Sequence, residues 1–287
     1  MTQLQPFYRE VQAHYDVSDD FFALFLDPSK TYSCAYFERD DMTLQEAQMA
    51  KIDLALGKLN LKPGQVLLDI GCGWGATVCR AAERYGANVV GLTLSENQLH
   101  YTSARLAELP KDAAKAEVRL QGWEEFADPV DRIVSIGAFE HFRKQRYTEF
   151  FARCRGWLPS DGRMLLHTIL MYDYATLKAR NIPLVHEDVL FLKFIGTVIF
   201  PGGQLCDPDV VVDHAKSAGF RVEQMQSLQS HYVRTLECWA ARLEAARDQA
   251  IAVTCQATYD TFMKYLTGCA RYFGSGHIDV MQFTLAV

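Results

Sequence analysis

The stretch Asp69-Ile70-Gly71-Cys72-Gly73-Trp74-Gly75 is the part of this chain best suited to hold a ligand. Its glycines let the backbone turn tightly and approach a bound molecule closely, with free N–H groups where a helix begins. A short apolar run, Val66 to Ile70, precedes it, and an apolar-periodic segment from about Thr77 to Tyr85 follows it. The pattern is a strand, a turn and a helix, with an acid at the strand's end. A dinucleotide would ask for G-x-G-x-x-G and an Asp or Glu about 20 residues further on for the ribose hydroxyls. Here the spacing is G-x-G-x-G, and the next apolar run ends in Gly91-Leu92-Thr93-Leu94-Ser95 with no carboxylate. That weakens the dinucleotide reading in favour of S-adenosylmethionine (SAM). The acid common at this place in SAM sites is missing too, so Thr93 and Gln98 must serve the ribose. A tight turn with no ligand is the bland alternative.

These residues need a sheet to position them. Strands are expected at 66–70, 88–94, 132–136 and 164–170, with a shorter one near 118–120. Ser95, with Gln98 three residues later, marks a helix start, and a further helix is expected over about 146–157. Such alternation implies a parallel sheet covered on both faces. Two stretches depart from it. Residues 1–60 read as a mostly helical N-terminal cover, aromatic-rich from His14-Tyr15-Asp16 through Phe37. Residues 172–215 form an insertion after the fifth strand, long enough to suggest a lid or substrate-binding role. Asp279 to Ala286 alternates as a final edge strand. The whole, 1–287, reads as a single domain.

Bulk properties narrow the classes. Hydrophobic residues make up 49% and charged residues 22%, enough for a real core. A net charge of -6 argues against a nucleic-acid partner, which would need a basic stripe. The N-terminus lacks the basic start and apolar run of a secretory signal. No stretch approaches the roughly 18 uninterrupted apolar residues of a membrane span. Cys34, Cys72, Cys79, Cys154, Cys206, Cys238, Cys255 and Cys269 form no C-x-x-C pair or zinc spacing, so they read as free thiols. The expected location is cytoplasmic.

Several stretches together resemble the mycolic acid cyclopropane synthases and methyltransferases. They are Tyr32 to Glu38, Asp69 to Gly75, Gly91 to Ser95, Asp131 to Phe142, Ile199-Phe200-Pro201-Gly202-Gly203 and Tyr265-Leu266-Thr267-Gly268-Cys269. The resemblance spans nearly the whole chain in register. It implies a class I SAM-dependent methyltransferase fold, Rossmann-like, with a seven-stranded sheet whose last strand is antiparallel. It also implies SAM contacts from Tyr32, Ser33, Asp69, Gly71, Cys72, Gly73, Trp74, Gly75, Thr93, Leu94, Gln98, Trp123, Glu124 and Ile136. Trp123 and Glu124 follow an expected strand, where an aromatic plane and a carboxylate suit adenine. Core packing is the competing account of Trp123 and Tyr32.

The substrate implied is a long unsaturated acyl chain, carried on an acyl carrier protein. An isolated alkene is a weak nucleophile, and methylating it leaves a carbocation. The site must exclude water, place electron-rich faces near the cation and supply a base. The resemblance makes that base a bicarbonate ion held by Cys34, Glu140, His167, Tyr232 and the backbone of Ile169. Glu140 follows the fourth strand and His167 lies on the fifth, near the carboxyl ends where such sheets bind ligands. A histidine in Leu165-Leu166-His167 also fits a satisfied core residue. Cys269 is carried as a pocket residue by resemblance, and a buried structural thiol accounts for it equally well. His141 is placed over the cofactor, and His14 and Tyr15 in the N-terminal cover.

The apolar run Leu190 to Phe200 suits a wall of an acyl tunnel or an ordinary buried helix. Arg143, Lys144, Arg146, Arg153 and Arg155 make a basic run that would dock an acidic carrier, or merely solvate a helix face. Peripheral membrane contact is compatible with both. The expected product is a cyclopropane, with a methyl branch or hydroxy-methyl group as the alternative end of the same cation. Two rivals are methylation of an amine or hydroxyl of a small molecule, and a non-enzymatic SAM- or acyl-binding protein.

Overall fold

The computed structural model describes residues 4–7 and 19–287, and His14 and Tyr15 lie outside the described residues. Seven strands form one sheet: β1 (Val66–Ile70), β2 (Asn88–Thr93), β3 (Ala116–Leu120), β4 (Arg132–Ile136), β5 (Arg163–Met171), β6 (Arg221–Ser227) and β7 (Ile278–Ala286). Their order is β3-β2-β1-β4-β5-β7-β6. The first five pair in parallel, and β7 runs antiparallel to both β5 and β6. The chain reverses direction sideways at β1, so a crevice opens beyond the carboxyl ends of β1 and β4, the place where such sheets take ligands.

The helices are α1 (Asp19–Phe25), α2 (Leu44–Lys58), α3 (Ala76–Arg84), α4 (Glu96–Ala107), α5 (Tyr147–Trp157), α6 (Tyr174–Ala179), α7 (His186–Phe194), α8 (Pro208–Ser217), α9 (Gln229–Ala245), α10 (Arg247–Val253) and α11 (Gln256–Gly274). One apolar layer, with Phe139, Tyr147, Phe150, Phe151 and Phe220, packs α5 and α8 on one sheet face. Another, with Ile52, Leu56, Val78 and Ala81, packs α2 and α3 on the opposite face. A third cluster is largely aromatic and locks α1 against α9 and α11. There Phe21 meets Phe262 edge-on at 4.8 Å, and Trp239 is wholly buried.

Three expectations need correction. The segment Asp279–Ala286 is a strand, but not an edge one: its register joins β5 on one side and β6 on the other, and eight of its nine positions are buried. The true edge there is β6, which the sequence pattern hides. Its residues Arg-Val-Glu-Gln-Met-Gln-Ser are mostly exposed and give no apolar run. The N-terminal cover is also less helical than expected, because 26–43 is irregular between α1 and α2. Finally, the departure from alternation ends before α8. Asp207 caps that helix, Pro208 opens it, and Val211 and Ala215 join the sheet's own core. The inserted part proper is 172–207, holding α6, α7 and a π-helical turn, Ile195–Ile199.

Candidate active site

The irregular stretch 29–37 is largely buried, so its backbone polar groups need partners. Helix α2 supplies several. It starts at a capping box made by Thr43 and Glu46, and it turns Gln48 and Lys51 inward. Gln48 Nε2 donates to the carbonyls of Thr31 (3.2 Å) and Ser33 (2.8 Å), and Lys51 Nζ donates to Ser33 Oγ at 2.8 Å. From the other side, Thr235 Oγ1 on α9 accepts the Ala35 N–H at 3.0 Å. Tyr32, Ser33 and Cys34 are thereby held at the carboxyl edge of the sheet.

Two cavities meet there. The first, of about 130 Å³, is lined by Tyr32, Ser33, Asp69, Gly71, Cys72, Gly73, Trp74, Thr93, Leu94, Gln98, Trp123, Glu124 and Ile136, the set expected from the sequence with one exception. The exception is Gly75, which is not in the lining. It is the N-cap of α3 at φ 80°, and a Cβ there would stand 2.5 Å from Thr102 Cγ2, so its requirement is steric. Gly73 differs: its φ is 55°, and no atom lies within 4 Å of an added Cβ, which leaves the backbone open to a ligand. Ser95 caps α4 by accepting the Gln98 N–H at 3.3 Å, and Thr93 donates to Gln98 Oε1 at 2.9 Å.

The electrostatics of this cavity are those of a desolvated pocket with carboxylates in reserve. Burial raises Asp69 to about 7, opposed by the Lys51 charge, and Asp69 Oδ2 has no protein partner. Burial also raises Glu124, against its ion pair with Arg146 at 2.8 Å, and Glu124 Oε2 is again without a partner. Lys51 is pushed down to about 8 by burial. Sequence reasoning missed Lys51; a lysine on the apolar face of α2, beside Ile52 and Ala55, was the signal. Phe7 also borders this cavity.

The second cavity, of about 120 Å³, is mostly apolar, with Phe191, Leu192, Ile195, Phe200, Leu236 and Phe273 in its wall. All five expected catalytic side chains, Cys34, Glu140, His167, Tyr232 and Cys269, line it. Glu140 sits in a 3-10 turn, Phe139–His141, just beyond β4. Its Oε1 accepts the Ile169 N–H at 2.6 Å, while Oε2 is buried without a partner, and burial raises its pKa. His167 is 1% exposed and its Nε2 has no partner; burial, with Lys51 and Lys58 nearby, drives its pKa well down, so the ring is neutral. Burial raises Tyr232 well above the usual phenol range, and likewise the thiols of Cys34 and Cys269. Cys269 is therefore a thiol rather than a thiolate, and no nucleophilic role follows from its setting.

Tyr32, Ser33, Gly137 and His141 line both cavities. The two cavities therefore adjoin at these four residues. Among the described residues there is no His/Cys/Asp/Glu cluster that could hold a metal ion. The basic run is partly committed inward. Arg143 and Arg146 stack on Phe7 at 4.4 and 3.9 Å, and Arg153 bonds Glu149 and the Glu124 carbonyl.

Comparison with known proteins agrees with this geometry. The family model for mycolic acid cyclopropane synthetase matches residues 2–283. Cyclopropane mycolic acid synthase 3 of Mycobacterium tuberculosis is 60% identical over 283 residues, covering 99% of this chain and 98% of that protein. The structure of the cyclopropane synthase MmaA2 from the same organism superposes with a TM-score of 0.98 at 55% identity, over 100% of both chains. The mycolic acid cyclopropane synthase CmaA1, in complex with SAH and CTAB, gives 0.96 at 56% identity over 99% of both. The sheet and its helices are those of the class I SAM-dependent methyltransferases. This chain belongs to the mycolic acid cyclopropane synthetase family.

Proposed function

We propose that this protein is a SAM-dependent methyltransferase that adds a methyl carbon to a double bond of a long mycolic-type acyl chain and closes it to a cyclopropane. The observation that carries the reading is the shared lining: a recess along the glycine turn, with buried carboxylates in it, and an apolar recess adjoin at Tyr32, Ser33, Gly137 and His141. The residues of the first recess fit SAM. Trp123 offers a flat apolar face, the unpartnered oxygens of Asp69 and Glu124 await donors, and the turn at Gly73 leaves backbone N–H groups open. When bound there, SAM supplies an electrophilic methyl group beside the acyl cavity.

The chain's own residues do the rest. The apolar wall of the second cavity excludes water, which would otherwise capture the cation. The rings of Phe200, Tyr265 and Tyr232 line it, and aromatic faces attract a desolvated cation by about 0.5–2 kcal/mol. Against this apolar lining, Glu140 Oε2 and His167 Nε2 are the polar atoms left without partners, and the Tyr232 phenol stands with them. His167 and the Tyr232 phenol can donate to a small oxyanion while Glu140 Oε2 accepts its O–H, and bicarbonate is the base proposed for them: bound between these groups, it would supply proton acceptance. Glu140 orients it, and His167 and Tyr232 hydrogen-bond to its oxygens. The backbone of Ile169 is also proposed for this anion, and its N–H is already given to Glu140 Oε1.

An acyl carrier protein as bearer of the chain draws little support from the basic run, whose Arg146 is paired with Glu124 and whose Arg153 is paired with Glu149. Peripheral contact with a lipid surface is better supported: Tyr174, Leu184, Val185, Val189, Leu190 and Val198 are exposed apolar side chains of the inserted segment that also walls the acyl cavity. Among the described residues no helix is long and apolar enough to cross a membrane. A cytoplasmic location is proposed from the eight cysteines, all free thiols. The test is incubation with methyl-labelled SAM and, separately, a cis-unsaturated long-chain acyl substrate, a small amine and a small alcohol. Label in a ring methylene of the acyl chain supports the reading. Label in a methyl branch places the chain in the same lipid class with a different end to the cation, and label in the amine or alcohol refutes it.

A further inference from the structure

The second cavity depends on a polar row of which one member, His167, lines it. β5, β7 and β6 bring His167, Gln282 and Gln226 side by side in cross-strand register, and Lys58 at the end of α2 reaches over them. Lys58 Nζ donates to Gln282 Oε1 at 2.7 Å and to Gln226 Oε1 at 2.5 Å. An ammonium has donors only, so the oxygen of the Gln282 amide must face Lys58. The amide nitrogen is then turned to the other side, where it stands 3.4 Å from His167 Nδ1. A primary amide nitrogen has only hydrogens to offer. Nδ1 must therefore be the bare nitrogen of the neutral ring, and the ring's one proton sits on Nε2, the atom that faces the acyl cavity without a protein partner.

We propose that Gln282 is a positioning residue: anchored by Lys58, it fixes the Nε2–H tautomer of His167, so that the histidine presents a donor to the anion site. This rests on the reading of that site given above. Gln282 is completely buried and outside the cavity lining, so it acts only through His167. The sign matters. With the proton on Nδ1 instead, Nε2 would turn a lone pair toward an anion bound there, which is repulsive. Partners that orient a metal-bound histidine are typically worth about 10–100-fold, and the same scale is expected of this one.

The full-length protein, labelled with ¹⁵N-histidine, tests this by long-range proton–nitrogen correlation spectra. The His167 signals are assigned by their loss in His167→Gln. The proposal expects a bare Nδ1 and a protonated Nε2 in the unmodified protein, which needs no variant to fold. In Gln282→Glu the carboxylate can still accept from Lys58 but cannot donate, so the proton should move to Nδ1. Turnover should fall about 10–100-fold while affinity for SAH changes less than about twofold. A proton on Nδ1 in the unmodified protein, or unchanged turnover in a folded Gln282→Glu variant, overturns the proposal. Full activity of Glu140→Gln would instead sink the anion reading and leave the tautomer assignment standing.

Discussion

Glu140 shows most clearly how burial sets the chemistry of single side chains here. One carboxylate oxygen is spent on the Ile169 N–H and the other is left facing the acyl cavity. Glu140→Gln keeps an oxygen for Ile169 and removes the charge and the proton chemistry. SAH affinity by calorimetry should stay within about twofold, and product formation should fall by about 10²–10⁴, the usual contribution of a positioned acid or base. Undiminished product would exclude Glu140 from deprotonation. Asp69 makes a separate prediction about stability. Its pKa is raised above its ordinary 3.8 to about 7, chiefly by burial. The folded state then binds the proton more tightly than the unfolded chain does. Its contribution is full below pH 3.8 and is lost as pH rises through about 7. Asp69→Asn should remove that slope, at most about 1.4 kcal/mol per pH unit. Denaturant melts of both proteins across this window check it, and parallel stability curves would contradict it.

At the level of elements, legibility followed burial pattern. β1, β2, β4 and β5 are apolar runs ended by glycine or polar residues, and their places could be read directly. β6 could not, because an edge strand exposed on both faces carries no alternation. β7 was read as an edge although a strand joins it on each side, since pairing on a second side leaves no mark in a short sequence. The inserted segment offers its own test. Gly268 on α11 lies under the Phe191 ring, and an added Cβ there would overlap that ring. Phe191 is already stacked on Tyr272 at 4.6 Å, so on that side the ring has no room. Gly268→Ala should push the ring toward the acyl cavity. Overpacking of this kind costs about 1–3 kcal/mol, so acyl KM should rise several-fold or more with SAH affinity unchanged. If acyl KM stays the same, α7 is not the wall described above.

Over the whole molecule, the cofactor recess was the more legible half, because a strand, a glycine turn and a helix start are neighbours in sequence. The acyl cavity draws Cys34, Glu140, His167, Tyr232 and Cys269 from five separate elements, and only resemblance to a family could gather them beforehand. Lys58 and Gln282 escaped even that, since their meaning comes from neighbours a hundred or more residues away, as Gln282 is from His167. The central claim is that two recesses adjoin at four shared lining residues, so that a methyl group bound in one can pass directly to a lipid double bond in the other. Its most direct test is a crystal structure of the protein with SAH and an unsaturated long-chain acyl analogue bound together. The account predicts SAH along the Asp69–Gly75 turn and the double bond in the apolar cavity, facing the sulfur past Tyr32, Ser33, Gly137 and His141. An acyl chain bound elsewhere, or a double bond turned away from the sulfur, would contradict it.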